Sequence, residues 1–480
     1  MKFRPRDIRD ALIEALPSAT SNFGETPDRS VMYVPPAHIK ALRLESSLVV
    51  GARGVGKSFW TAALNDPALR AMLGQSVREL EKTQVHVGFS GKQDIASRPE
   101  SAVFADLMEK GCTPYDVWRA VVVRWLGRFL GEEPPMQDWD ASTTWVRENP
   151  EPVAKIMQLA DVKFASNGEK GLIVFDALDR VSTDWVGMDG IVRDLLRVVL
   201  DLKSFSSIHA KVFLRDDQFA RTVANFPDAS KLSATKAELT WQSHDLHGLI
   251  WQFFCNAPDM HGKVLRSVYE RVLGIPPSYL NEVWMLADEA KRDGLSQRKL
   301  FEELAGPWMG RDRRRGVPYV WSVSHLADGK GRTSPRSFIA AMRSAAEDSQ
   351  EKYPDHEFAL HYESIKRGVQ EASRIRIDEI TEDHPWVTAL LEPLKGQNVP
   401  CEFSAIEERW QQIFPAGFNS VVKDRLPPQH KERGWVGLLE DLERLGIFEK
   451  MKDSRINMPD LYRVGFGLGR RGGVKPSKQS

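Results

Sequence analysis

The stretch LVVGARGVGKSFW, residues 48–60, decides the fold. Leu48, Val49 and Val50 form the short apolar run of a buried strand, and three glycines, a lysine and a serine follow at once. Gly51-Ala52-Arg53-Gly54-Val55-Gly56-Lys57-Ser58 meets G-x-x-x-x-G-K-[ST] at each fixed position. Glycine lets the backbone turn sharply and come close to an anion that a Cβ would hold off. Successive N–H groups then face a phosphate, and the following helix adds its positive N-terminal end. Lys57 is placed to reach the β and γ phosphates, and Ser58 to ligate Mg²⁺. An ordinary glycine turn is the alternative. The apolar strand before and the helix after are the context that a phosphate loop needs, so Gly51 to Ser58, with Phe59, are read as the cradle of a nucleoside triphosphate.

Short apolar runs recur downstream at TQVHVGFS (83–90), GLIVFD (171–176), AKVFLR (210–215) and AELTW (237–241), with helical patterns between them. Strands alternating with helices predict an α/β core with a parallel sheet and helices on both faces. The expected organisation is an N-terminal helical segment over 1–45 and a P-loop core over 46–243, with an insertion at about 98–165. A helical lid over 244–350, a connecting helix over 351–383 and a small winged-helix-like domain with a basic tail over 384–480 follow. The lid helices include SYLNEVWMLADEAKR (278–292).

Asp176 ends an apolar strand, as the acid that holds Mg²⁺ in a Walker B element does. From these residues the chain resembles the KAP and NACHT branches of the STAND ATPases, relatives of AAA+. Asp176-Ala177-Leu178-Asp179-Arg180 is similar to their D-x-L-D-[RE] element. Lys211 to Arg215 fall on the strand that carries sensor 1, and Ser334-Pro335-Arg336-Ser337-Phe338 resembles the helix start in their lid. The resemblance spans roughly residues 45–345. It implies a slow ATPase switch, with Asp179 orienting water because Ala177 stands where many additional-strand ATPases carry an acid. It further implies Arg215 as γ-phosphate sensor and Arg336 as a lid contact. A helix cap or partner for Arg180 is the alternative for Asp179, and surface ion pairing or solvation for the two arginines. The guanine motif N-K-x-D is absent, which points to ATP. The family's usual setting, bacterial conflict and phage defence with a separate protein effector, follows from the resemblance alone.

The chain has 66 basic and 66 acidic residues, so no bulk field draws nucleic acid or membrane. No run approaches the length of a membrane span, and Cys112, Cys255 and Cys401 stand far apart, which suits a reducing cytoplasm. His244 and His247 lack further ligands at zinc spacing. RDRRRG (311–316) reads as a solvated loop. Residues 443–480 carry a local positive excess from Arg444, Lys450, Lys452, Arg455, Arg463, Arg470, Arg471, Lys475 and Lys478. A basic wing there could touch duplex DNA, but Glu440, Asp441 and Glu443 on the preceding helix oppose insertion into a groove. Protein docking or autoinhibition is therefore the first expectation for this domain. An origin-recognition-like DNA-binding ATPase, a nucleotide-stabilised binding module and a homo-oligomer stay open.

Overall fold

The computed structural model describes residues 3–18, 25–131, 138–182, 185–219, 225–418, 427–471 and 474–476. Lys478, residues 19–24 of the expected N-terminal segment, residues 132–137 of the expected insertion and residues 419–426 lie outside them. The chain forms two compact units. One contains 34–240 with 21–27; the other contains 1–20, 28–33 and 241–480.

In the first unit β1 (Leu48–Gly51), β2 (Thr83–Phe89), β3 (Lys170–Phe175), β4 (Ile208–Arg215) and β5 (Ala237–Glu238) build one parallel sheet, in the order β2-β3-β4-β1-β5. The core is thus an α/β fold with a parallel sheet. The strand expected at 237–241 is only two residues long. β1, and β3 from Gly171 onward, are buried at every residue, so both faces of the sheet are covered. On one face Leu48, Val50, Ile173, Phe175, Val212 and Leu214 share a core with Trp118, Trp125 and Phe164 of the inserted helices Pro114–Leu130 and Pro150–Ser166. The 98–165 region therefore supplies a helical layer to the sheet. β4 stands between the strand of the glycine loop and the strand ending at Asp176. That order brings the C-terminal ends of β1, β3 and β4 side by side, where ligands of open α/β sheets bind.

The second unit is mainly helical. The helix Pro5–Ala15 packs on Asp259–Leu273 and Pro335–Lys352, and the last of these lies along Tyr362–Asp383. Arg9 is fully buried and donates to the carbonyls of Tyr353, Pro354, Phe358 and Ala359. The helix expected over 278–292 is corrected. β6 (Ser278–Leu280) and β7 (Val283–Met285) form an antiparallel hairpin there, and only Asp288–Arg292 is helical. Asn281 and Glu282 both have positive φ, as a two-residue type I′ hairpin turn requires, and Tyr279 packs against Trp284 across it at 4.7 Å. Near the C-terminus come the helices Pro385–Leu391, Phe403–Ile413 and Gly434–Arg444. A hairpin follows, of β8 (Glu449–Lys450) and β9 (Ile456–Asn457). No helix among the described residues is long and apolar enough to cross a membrane.

Candidate nucleotide site

The glycine loop runs from the end of β1 into the helix Lys57–Asn65. Gly54 and Gly56 have φ of 82° and 103°, and Gly56 caps the helix in a left-handed conformation that L side chains adopt only under strain. A Cβ on Gly51 would stand 2.7 Å from Val55 Cγ2, so the loop closes tightly over that residue. Ala52, Arg53 and Gly54 are half-buried, Val55 is buried, and Phe59 stacks edge-on to Trp60.

Lys57 folds back over its own loop, its Nζ donating to the carbonyls of Gly51 (2.8 Å) and Ala52 (2.9 Å). Desolvation, then the Arg215 charge, lower its pKa to about 8, against the pull of Asp176. Asp176 follows β3, is 3% exposed, and anchors its own N–H on Phe89 O at 2.9 Å. Burial raises its pKa, while a hydrogen bond from Ser58 and the charge of Lys57 hold it down. The Ser58 hydroxyl, on the first turn of the helix after the loop, and the Asp176 carboxylate, just past β3, are the two oxygen donors expected for Mg²⁺. They make an oxygen set of the kind a hard divalent cation takes, and such a cation would relieve the strain of burying Asp176.

Ala177 holds φ 55°, the left-handed region, and the 3₁₀ turn Leu178–Arg180 follows. That kink turns the chain off the strand and carries Asp179 to 3.6 Å from Arg215 Nη1. Arg215 stands opposite Gly51 in the β4–β1 register, and its guanidinium is bidentate to Asp217 at 3.0 and 2.8 Å. Two consecutive acids after an apolar strand, Asp216 and Asp217, suit the cap of a following helix. Asp216 does open the short helix Asp216–Phe219, but Asp217 is the carboxylate that orients Arg215. Its position two residues after an arginine at a strand end was the available signal.

The structure therefore brings together Gly51 to Phe59, Asp176, Asp179 and Arg215 at one edge of one sheet. Arg336 belongs to the other unit. There it starts the helix Pro335–Lys352 and pairs with Glu379 at 2.5 Å. Glu379 also takes Arg376 at 3.0 Å. Lys211, on β4, is fully buried and donates to the carbonyls of Ala41, Arg43 and Ser46, so it fastens the segment before β1 to the sheet.

No family model and no curated protein matches the sequence. Among solved structures the chain is similar to the ORC2 protein of Aeropyrum pernix in its ADPNP–ADP complexes. The match has 12% identity and a TM-score of 0.40, over 91% of this chain and 94% of that one. It is also similar to the ORC1 protein of Aeropyrum pernix in complex with DNA, with 13% identity and a TM-score of 0.36, over 93% of each chain.

Proposed function

We propose that this chain binds ATP with Mg²⁺ and hydrolyses it slowly. The observation that carries the reading is a complete phosphate loop, with Gly54 and Gly56 at positive φ and Lys57 Nζ folded over the Gly51 and Ala52 carbonyls, on the same sheet as the buried Asp176. The loop amides and Lys57 would bind the phosphates, and Ser58 and Asp176 would hold Mg²⁺. Bound there, the ion supplies charge neutralisation of the phosphate oxygens. Asp179 would orient the attacking water, Arg215 would sense the γ-phosphate end, and Arg336 would couple the helical unit to nucleotide state. The direct test compares MgATP binding and turnover in wild type and Lys57→Ala. Unchanged ATP affinity in the variant overturns the assignment.

For the task this turnover serves, we favour an origin-recognition-like role in which the C-terminal domain, read as a winged helix, contacts duplex DNA. Two of the three acids that argued against DNA, Glu440 and Asp441, are engaged within the protein. Asp441 is buried and accepts from the N–H of His430 at 2.9 Å and bonds its Nδ1 at 2.6 Å; Glu440 bridges Arg433 and Arg444. Lys450 and Lys452, on and beside the β8–β9 hairpin, are exposed. The rival role, a STAND-like switch that works with a separate protein effector in bacterial defence, predicts turnover that responds to a protein and not to DNA. Measuring ATP turnover with and without duplex DNA separates the two.

A further inference from the structure

Two crossings of the chain between the units fall beside Val34 and Thr240. A single imidazole lies near both. His38, in the helix Pro36–Leu42, is fully buried. Its Nδ1 accepts from the Trp60 indole N–H at 3.1 Å, and its Nε2 stands 3.1 Å from the Thr240 carbonyl oxygen. A carbonyl oxygen only accepts, so Nε2 must carry the proton; an indole only donates, so Nδ1 must be bare. The two contacts fix one neutral tautomer. Burial agrees, lowering the pKa of His38 to about 4.

Trp60 is 1% exposed and lies one turn into the helix of the glycine loop, its backbone N–H bonded to Gly56 O at 3.0 Å. Its indole nitrogen is 4.0 Å from where a side chain on Gly56 would stand, so the ring lies directly beneath the cap of the loop. Lys57 and Ser58 occupy that same turn. A helix can slide or rotate on an apolar surface at little cost, but a buried indole N–H with one acceptor has one place to be.

We propose that His38 is a positioning residue for the phosphate loop: through Trp60 it sets the rotation and depth of the first helical turn, and so the places of Lys57 Nζ and Ser58 Oγ. Its other nitrogen ties that turn to Thr240, the last residue before the chain leaves this unit. The inference rests on the ATPase reading.

An asparagine amide oxygen reaches the place of Nδ1, and a glutamine amide nitrogen that of Nε2. His38→Asn therefore keeps an acceptor for Trp60, while His38→Gln keeps only a donor for Thr240. Trp60→Phe keeps a ring and removes the indole donor. The expected result is that Trp60→Phe and His38→Gln lower kcat and kcat/KM for MgATP together, by about tenfold or more, while His38→Asn stays within about twofold. The double variant Trp60→Phe with His38→Gln is no worse than either alone, because both break one linkage. Equal kcat in His38→Asn and His38→Gln, or wild-type kcat in Trp60→Phe, overturns the inference while Lys57-dependent turnover leaves the ATPase reading standing. A wild-type chain that neither binds nor hydrolyses MgATP overturns both. If the variants do not fold, the wild type decides: MgATP should move the ¹⁵N signals of His38 without changing its tautomer, and an unmoved signal overturns the inference.

Discussion

Lys57 is the residue whose electrostatics make the sharpest demand. Its ammonium is held at a pKa of about 8 while it rests on its own loop, chiefly by desolvation. A phosphate would favour the charged form and raise that value, so binding takes up a proton whenever the lysine starts neutral. MgATP affinity is therefore expected to be flat below pH 8 and to fall by up to about tenfold per pH unit above it. Titration calorimetry in buffers of different ionisation enthalpy checks this; a flat profile to pH 9.5 would contradict it, and Lys57→Arg should remove the dependence. Asp176 and Asp179 separate by role. In the proposed site Asp176→Asn would remove a cation ligand, and it should abolish Mg²⁺-dependent hydrolysis while leaving some nucleotide binding. Asp179→Asn should lower kcat and kcat/KM equally with little change in affinity, because orienting water matters only in the transition state. Normal turnover in Asp179→Asn would end its assignment. The glycine turn between β1 and its helix was legible because the spacing of such a loop is a local property of the chain. Asp217 was not, because the same carboxylate serves as a helix cap or as an arginine partner, and only the guanidinium geometry decides.

Elements were legible where pattern and local chemistry agree. The apolar runs of β1, β3 and β4 announce buried parallel strands, and the observed elements match them within two residues at each end. The segment 278–292 misled because its apolar residues also fit a helical period; the left-handed pair Asn281–Glu282 reverses the chain instead. The C-terminal elements carry a second surprise. Arg463, counted among the basic residues of a wing, is a core residue at 0% exposure. It pairs with Asp460 at 2.7 Å and donates to the carbonyls of Leu468 (2.9 Å) and Val474, so it fastens the end of the chain to the domain. Arg470 stands 3.6 Å from that same carboxylate, and Arg455 pairs with Asp453. Arg463→Ala leaves a buried carboxylate without its main partner and should destabilise this unit by about 3 kcal/mol. Asp460→Ala combined with Arg463→Ala should lose less than the two single changes added together. Denaturant unfolding of the four proteins measures both quantities.

At the scale of the whole molecule, the contact with DNA is a question of net field, and the chain as a whole is neutral. With Arg463 buried and Arg455 paired, few cations remain on the hairpin and tail. Duplex binding should therefore be weak and steep in salt, with log affinity falling by about 0.9 per phosphate contact against log salt. Replacing Lys450, Lys452 and Arg471 with serine should reduce that slope by up to about three such contacts and leave basal ATP turnover unchanged. Affinity and slope equal to wild type would remove the hairpin from the interface. The division of the chain was the least legible feature, since nothing in the composition of residues 5–15 names the helices that cover them. That covering sets an order of assembly. Arg9 meets the carbonyl of Ala359, which lies 350 positions later. On the ribosome, at about 5–20 residues per second, the wait between them is roughly 20–70 s. The sheet unit, 34–240, can be completed before residues 259–273 are made, and until then Ile8, Ala11 and Leu12 have no native surface to join. The helix Pro5–Ala15 is thus made well before the surface that buries it, and a nascent chain of this protein has to shelter it until residues 259–352 arrive.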